Sequence, residues 1–182
     1  LQQAATPAYV QTKSGAVALV AMASTFIRYG AASRSRPDLH GRPGLNPLRI
    51  TPRERAIVVP CQTAERIRAF GRLIGRSSIK LEGRSFKVGL RFHVGRSFGV
   101  EKSCQLEHSD RNRNLEAIAE ARSHAEIVVA SIHAHIQGRW LREFAYDAID
   151  HGADGVHVHG PHRVRAIELY DGKPIFYSMA DF

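Results

Sequence analysis

Apolar residues run almost unbroken over residues 16–22, a pattern that suits a strand buried on both faces, and Ser24-Thr25 closes it. From residue 29 to residue 55, Gly, Pro, Ser and Arg dominate, Gly41-Arg42-Pro43-Gly44 among them. That density predicts a long loop crossing the surface, and long loops in compact domains tend to carry function or motion. Thr63 is placed to cap a helix over residues 64–73 that Gly75 ends. The weak alternation of residues 86–100 predicts at most a hairpin around Gly95.

The C-terminal part is more regular. Leu115, Ile118 and Ala119 fall at helical spacing and lead into the apolar run Ile127-Val128-Val129-Ala130-Ser131-Ile132, which reads as helix, then buried strand. Leu141, Phe144, Ala145, Ala148 and Ile149 repeat at i, i+3, i+4, i+7 and i+8. They give a second helix one apolar stripe, and Gly152 stands where a C′ glycine belongs. Another strand follows over residues 155–158. Strand, helix and strand joined by short connections predict a right-handed βαβ crossover in a largely parallel sheet, so the fold class is α/β. The tail predicts a hairpin of residues 165–170 with 174–178, because Asp171-Gly172 suits a tight turn.

At 182 residues the chain is long enough for one domain or a piece of one, and its composition is that of a globular protein. The formal charge of +9 favours anionic partners: phosphorylated substrates, polyanions, acidic membrane surfaces or nucleic acid. Arg34, Arg36, Arg42, Arg49, Arg53 and Arg55 are scattered without interleaved aromatics or a nucleic-acid motif. They read as a solvated basic face, which disfavours nucleic acid. Cys61 and Cys104 lack CxxC spacing, so neither a zinc ribbon nor a disulfide framework is indicated. The longest apolar run, residues 15–23, falls short of the roughly 18 to 20 residues a bilayer span needs. The first residue is Leu1, and no leader pattern follows, so the chain reads as a fragment, and any leader or anchor would lie outside it.

Candidate chemistry enters with histidine. Six of the ten histidines lie between His133 and His162, just beyond the carboxyl ends of two predicted strands, where open α/β sheets bind ligands. His133 after one strand, and His159 and His162 after the other, are placed to converge. Neutral imidazole is a good ligand for zinc, manganese and iron, and Pro161 fixes the path between the last two. Each histidine taken alone also fits a strand-end residue bonded to backbone. His151 beside Gly152 suits the C-terminal dipole of a helix, and His157, alternating with Val158, suits a structural strand residue.

Four segments then match in order and spacing: Ser131-Ile132-His133-Ala134-His135, Ile149-Asp150-His151-Gly152-Ala153-Asp154, His159-Gly160-Pro161-His162, and Ile167-Glu168-Leu169-Tyr170-Asp171-Gly172-Lys173-Pro174-Ile175-Phe176-Tyr177-Ser178. The run resembles the C-terminal signature of the CapA family of capsule and poly-γ-glutamate synthesis proteins. Gly41-Arg42-Pro43-Gly44-Leu45-Asn46-Pro47-Leu48-Arg49 resembles one branch of it. The resemblance is strongest over residues 127–182 and reads residues 1–182 as a single, partial CapA-type domain.

The resemblance implies a calcineurin-like metallophosphatase sandwich, here incomplete at its N-terminus, with two divalent metals (manganese, iron or zinc) between strand-end loops. Such metals polarise a phosphoryl or acyl group and supply a hydroxide nucleophile. By the same resemblance His133, His159 and His162 are metal ligands, while His135 on the substrate side and Asp181 at a polar tip are catalytic candidates. The family's bridging carboxylate and Asn-His element come earlier in the chain and are not visible; Asp38-Leu39-His40 lies in the Pro- and Arg-rich loop and is a poor substitute. Val158 replaces a family glycine, and Met179-Ala180-Asp181 replaces Leu-Gly-Asn or Leu-Gly-Asp. The implied function is a metal-dependent hydrolase with part of its active site absent, serving capsule or poly-γ-glutamate synthesis. The alternative is a non-catalytic accessory component of an envelope polymer complex. Implied partners are an anionic polymer or phosphorylated substrate and a membrane-associated synthase complex at the cell envelope.

Overall fold

The N-terminal apolar run forms the strand expected of it, one residue longer at each end, in a computed structural model that describes residues 1–27, 29–75, 79–80, 85–88, 90–95 and 99–180. In chain order the elements are α1 (Gln2–Ala5), β1 (Ala8–Thr12), β2 (Gly15–Ala23), β3 (Ile50–Pro60), α2 (Cys61–Leu73), β4 (Ile79–Lys80), β5 (Ser85–Val88) and β6 (Leu90–Gly95). There follow β7 (Gly99–Leu106), α3 (His108–Arg122), β8 (Ile127–His133), α4 (Arg139–Asp150), β9 (Gly155–His159), β10 (Ile167–Tyr170) and β11 (Lys173–Phe176). They gather into two compact units, Leu1–Thr51 with Leu106–Phe182, and Pro52–Gln105.

The first unit is built on a six-stranded sheet of order β1-β2-β8-β9-β11-β10. Its four inner strands run parallel, and the two edge strands pair antiparallel with their neighbours. The β8-α4-β9 crossover was readable because the stripe of α4 and one face of the strands are both apolar. Leu141, Phe144, Ala145, Ala148 and Ile149 are buried, as are Val128, Ala130, Ile132, Val156 and Val158. Burying one Leu, Ile, Val or Phe side chain contributes roughly 1.5–3 kcal/mol, so this layer is a large stabilising contribution to the unit. Helices α3 and α4 touch each other and pack on the sheet. The alternate strand positions, Leu19, Ile127, Val129, His133, His157 and His159, stay exposed or half-buried on the other face.

Helix α3 departs from the expected stripe. Leu115 and Ile118 are buried, but Ala119 is exposed, and Asp110 and Asn114 are buried in its place. The Asn46 amide donates to Asn114 Oδ1 (2.6 Å) and the Ala21 carbonyl (3.0 Å). Asp110 accepts from the Arg49 backbone N–H (2.9 Å) and from both the Arg49 and Arg113 guanidinium groups (3.1 and 2.8 Å). This network fastens the 41–49 loop to α3, which accounts for the polar burial. The tail hairpin turns at Asp171-Gly172, with φ +49° and +72°, the paired positive values of a tight primed turn. Its strands, β10 and β11, are shorter than the predicted ones.

The second unit has its own sheet, of order β4-β5-β6-β3-β7, and a core of Val59, Ala64 and Phe86 with Ile57, Ile67, Val88, Phe92 and Val94 against it. The predicted loop therefore closes at Arg49 instead of residue 55, because β3 starts at Ile50 and pairs parallel with β6. The hairpin reverses between Val88 and Leu90, not at Gly95. Reversal there sets Phe86 opposite Phe92, with ring centroids 5.3 Å apart. Thr63 lies within α2 and does not cap it; the N-cap is Pro60, in extended backbone (φ −59°, ψ 155°) and without a side-chain capping bond. Among the described residues no helix is long and apolar enough to cross a membrane.

Candidate functional site

Parallel pairing of β8 with β9 sets His133 directly beside His159 at the carboxyl ends of both strands. Their Nδ1 atoms are 3.2 Å apart and their ring centroids 4.9 Å. His135 packs edge-on against His133, with centroids 4.9 Å apart, and lies 5.3 Å from the His162 ring. His157, one side-chain step back along β9, stacks on His159 at 5.7 Å. Backbone bonds hold the loops: Ala134 N–H donates to the His159 carbonyl (2.8 Å), Ser24 N–H to the His133 carbonyl (2.8 Å), and His135 N–H to Thr25 Oγ1 (3.0 Å). The strained geometry falls at Gly160 (φ +121°) and His162 (φ +53°), not at Val158, which is fully buried within β9. His151 stands apart at the end of α4, its Nδ1 2.7 Å from the Asp147 carbonyl oxygen.

Burial, followed by the neighbouring imidazoles His135 and His162, holds His133 below the ordinary histidine value. Burial and then His133, His157 and His135 do the same for His159. Both rings are therefore neutral at neutral pH, the protonation state that binds metal. Two imidazole nitrogens about 2.1 Å from a shared ion and about 100° apart stand about 3.2 Å from one another, the separation of this pair. The pair thus fits two positions around one divalent ion. The full donor set does not close: among the described residues no group of three or more His, Cys, Asp or Glu side chains is arranged to hold a metal. Asp181 lies outside the described residues. Asp38 sits in an exposed turn with its carboxylate 3.8 Å from Arg36 Nε.

The family model for "Bacterial capsule synthesis protein PGA_cap" matches residues 1–182. The chain belongs to this capsule synthesis (CapA) family. It is 30% identical to the uncharacterised protein y4sH of Sinorhizobium fredii over 99% of its own length and 40% of the relative's. It is 32% identical to the PGA biosynthesis protein CapA of Bacillus subtilis over 48% of its length and 25% of that protein's. Over 38 residues, 21% of this chain and 10% of the relative, it is 53% identical to a probable polyglutamine synthesis accessory protein of Mycobacterium tuberculosis. The chain thus spans less than half the length of these family members.

A second constellation in this CapA-family chain escaped the sequence reading. Glu168 on β10 accepts hydrogen bonds from Tyr146 (2.5 Å) and Arg142 (2.6 Å) on α4, and from the Tyr177 hydroxyl (2.9 Å). The Tyr146 bond, then the Arg142 bond, hold its carboxyl below the ordinary value. Burial and the Glu168 bond push the Tyr177 phenol upward. Gln137, two residues past His135, donates through Nε2 to the Tyr177 carbonyl (2.6 Å), tying the β8–α4 loop to the tail. Glu168 and Tyr177 lie inside the family-like tail run, and Arg142 and Tyr146 stand four apart on one helix face. Nothing in the pattern signals that the two pairs meet.

Proposed function

We propose that the chain is the histidine-bearing part of a metallophosphatase-like hydrolase, of calcineurin-like sandwich fold, acting in capsule or poly-γ-glutamate synthesis. The observation that carries this reading is the His133–His159 pair, with Nδ1 atoms 3.2 Å apart at adjacent strand ends and the His135 and His162 rings beside it. Of the three histidines proposed as ligands to a manganese, iron or zinc ion, the set of metals that imidazole suits, His133 and His159 stand at the separation of a ligand pair, and His162, beside His135, would have to shift to join them. A bound ion of this kind supplies polarisation of a phosphoryl or acyl oxygen and a nucleophile at neutral pH.

The chain's own residues orient and buffer that chemistry. Ser24 and Thr25 fix the His133–His135 loop through its backbone. His135, in contact with both His133 and His162, is the imidazole placed to hold or move a proton on the substrate side. Asp181, in the family-like tail, is proposed as a second catalytic group. The substrate is proposed to be an anionic polymer or a phosphorylated compound, met at the cell envelope with a synthase complex. Metal analysis of the full-length protein with His133, His159 and His162 each changed to Ala tests the assignment: at least one variant loses bound metal, and unchanged content in all three overturns it.

A second reading, a non-catalytic accessory component, draws support from the missing carboxylate among the described donors and from the accessory-protein name of the mycobacterial relative. It predicts full function in a capsule assay for a triple histidine variant, an outcome the enzymatic reading forbids.

A further inference from the structure

The excess positive charge of this protein is not spread along the chain. Twelve of the 26 Lys and Arg residues, but only four of the 17 Asp and Glu, lie in Pro52–Gln105. This unit therefore carries a net +8, while the larger unit carries +1. Its helix α2 turns Ala64, Ile67 and Gly71 inward, where Arg68 lies 4.3 Å from the Phe86 ring centroid. The opposite side of a surface helix is ordinarily polar. Here it carries Arg66, Phe70 and Leu73 in one stripe, with Ile74 and then Gly75 (φ +70°) following. Phe70 is 60% exposed and Leu73 83%, a contiguous apolar tip rather than a single stray residue. Arg66 and Arg72 are exposed on the same turns.

We propose that Pro52–Gln105 is a membrane-docking module that seats the tip of α2 on an anionic lipid surface. Charge alone would suit any polyanion, including a soluble polycarboxylate. The apolar tip decides between them, since a hydrated polymer offers Phe70, Leu73 and Ile74 nothing to bury in, whereas a bilayer offers acyl chains beneath its anionic headgroups. The arginines meet the headgroups and shorten the approach, and the three apolar side chains enter the interface. The module does not depend on the histidine cluster, so it stands or falls separately from the metal reading.

Flotation of the full chain with phosphatidylcholine vesicles, with or without phosphatidylglycerol, tests this. Binding is expected to anionic vesicles, to weaken with added salt, and to be roughly ten-fold weaker on neutral ones. Phe70→Ser with Leu73→Ser, both exposed and therefore tolerable to the fold, should weaken it by roughly ten-fold or more. Arg66→Glu with Arg72→Glu should do the same. Equal binding to neutral vesicles overturns the proposal. So does anionic-vesicle binding indifferent to the Phe70 and Leu73 changes, or soluble poly-glutamate binding that exceeds vesicle binding.

Discussion

His133 and His159 occupy matched positions on adjacent parallel strands, and their side chains meet through Nδ1 atoms 3.2 Å apart. Without metal this contact is a bond between neutral rings, one donating and one accepting. With metal, binding to the folded state alone raises stability by about 2.7 kcal/mol when the ion is at a hundred times its dissociation constant. The full-length protein is therefore expected to melt higher in manganese or zinc. His159→Ala should abolish that increase while leaving the metal-free melting temperature within a few degrees. Thermal denaturation with and without metal reads both quantities, and a shift retained in His159→Ala counts against the pair as ligands.

Gly160 sets the path of the loop from His159 to His162. Its φ of +121° is closed to other residues, and a Cβ there would lie 3.2 Å from the Ala134 carbonyl carbon and from His135 Cδ2. Gly160→Ala should cost about 1–3 kcal/mol and push His135 away from His162. Urea denaturation measures the first effect, and weaker metal binding by the same variant reports the second.

The buried carboxylate of Asp110 holds two guanidinium groups at once. Arg113 is already short of partners, since its Nε is buried without one. Asp110→Ala would leave that cation buried and uncompensated, and the expected loss is about 3–5 kcal/mol. Asp110→Asn, which keeps an acceptor for the Arg49 backbone N–H, should lose less. Equal losses in the two variants would show that the retained acceptor contributes nothing beyond the charge pairing.

The difference between Asp110 and His133 marks where sequence reading reached and where it stopped. The β8-α4-β9 crossover was legible because each part announces itself locally, through an apolar strand, a 3.6-residue stripe and a C′ glycine. The histidines were legible by position alone, since a strand-end residue in a parallel sheet has a known destination. Asp110 and Asn114 were not, because polar residues enter a core only when distant partners satisfy them, and Asn46 and Arg49 come from a loop more than sixty residues away. Strand β3 hid for a similar reason. Its Pro- and Arg-bearing start resembles the loop before it, and its place is set by pairing with β6 much later in the chain.

The Glu168 cluster makes a pH prediction. The folded carboxyl titrates below its ordinary 4.5, held down by Tyr146, then Arg142 and Tyr177, so below that value the unfolded chain takes up the proton more readily. The stability it contributes is complete above pH about 4.5 and is lost as pH falls through the depressed folded value. Glu168→Gln should lower stability at neutral pH and flatten the acid limb of a stability–pH curve. Parallel curves for the two proteins would exclude the cluster as a source of acid sensitivity.

The tail offers a gain of stability instead of a loss. Ala180 holds φ +67°, the left-handed region, at the position where the family pattern has glycine. An L residue there costs roughly 1–2 kcal/mol, and glycine's extra freedom when unfolded returns part of that difference. Ala180→Gly is therefore expected to stabilise the protein by about 0.5–1 kcal/mol, whereas Ala180→Val, β-branched at the same dihedral, should destabilise it further. The ordering Gly above Ala above Val in denaturation midpoint is the test. It would mean that the chain retains a backbone geometry made for glycine after losing the glycine itself, with the strain held in place by the Arg165 N–H to Ser178 carbonyl bond just before it.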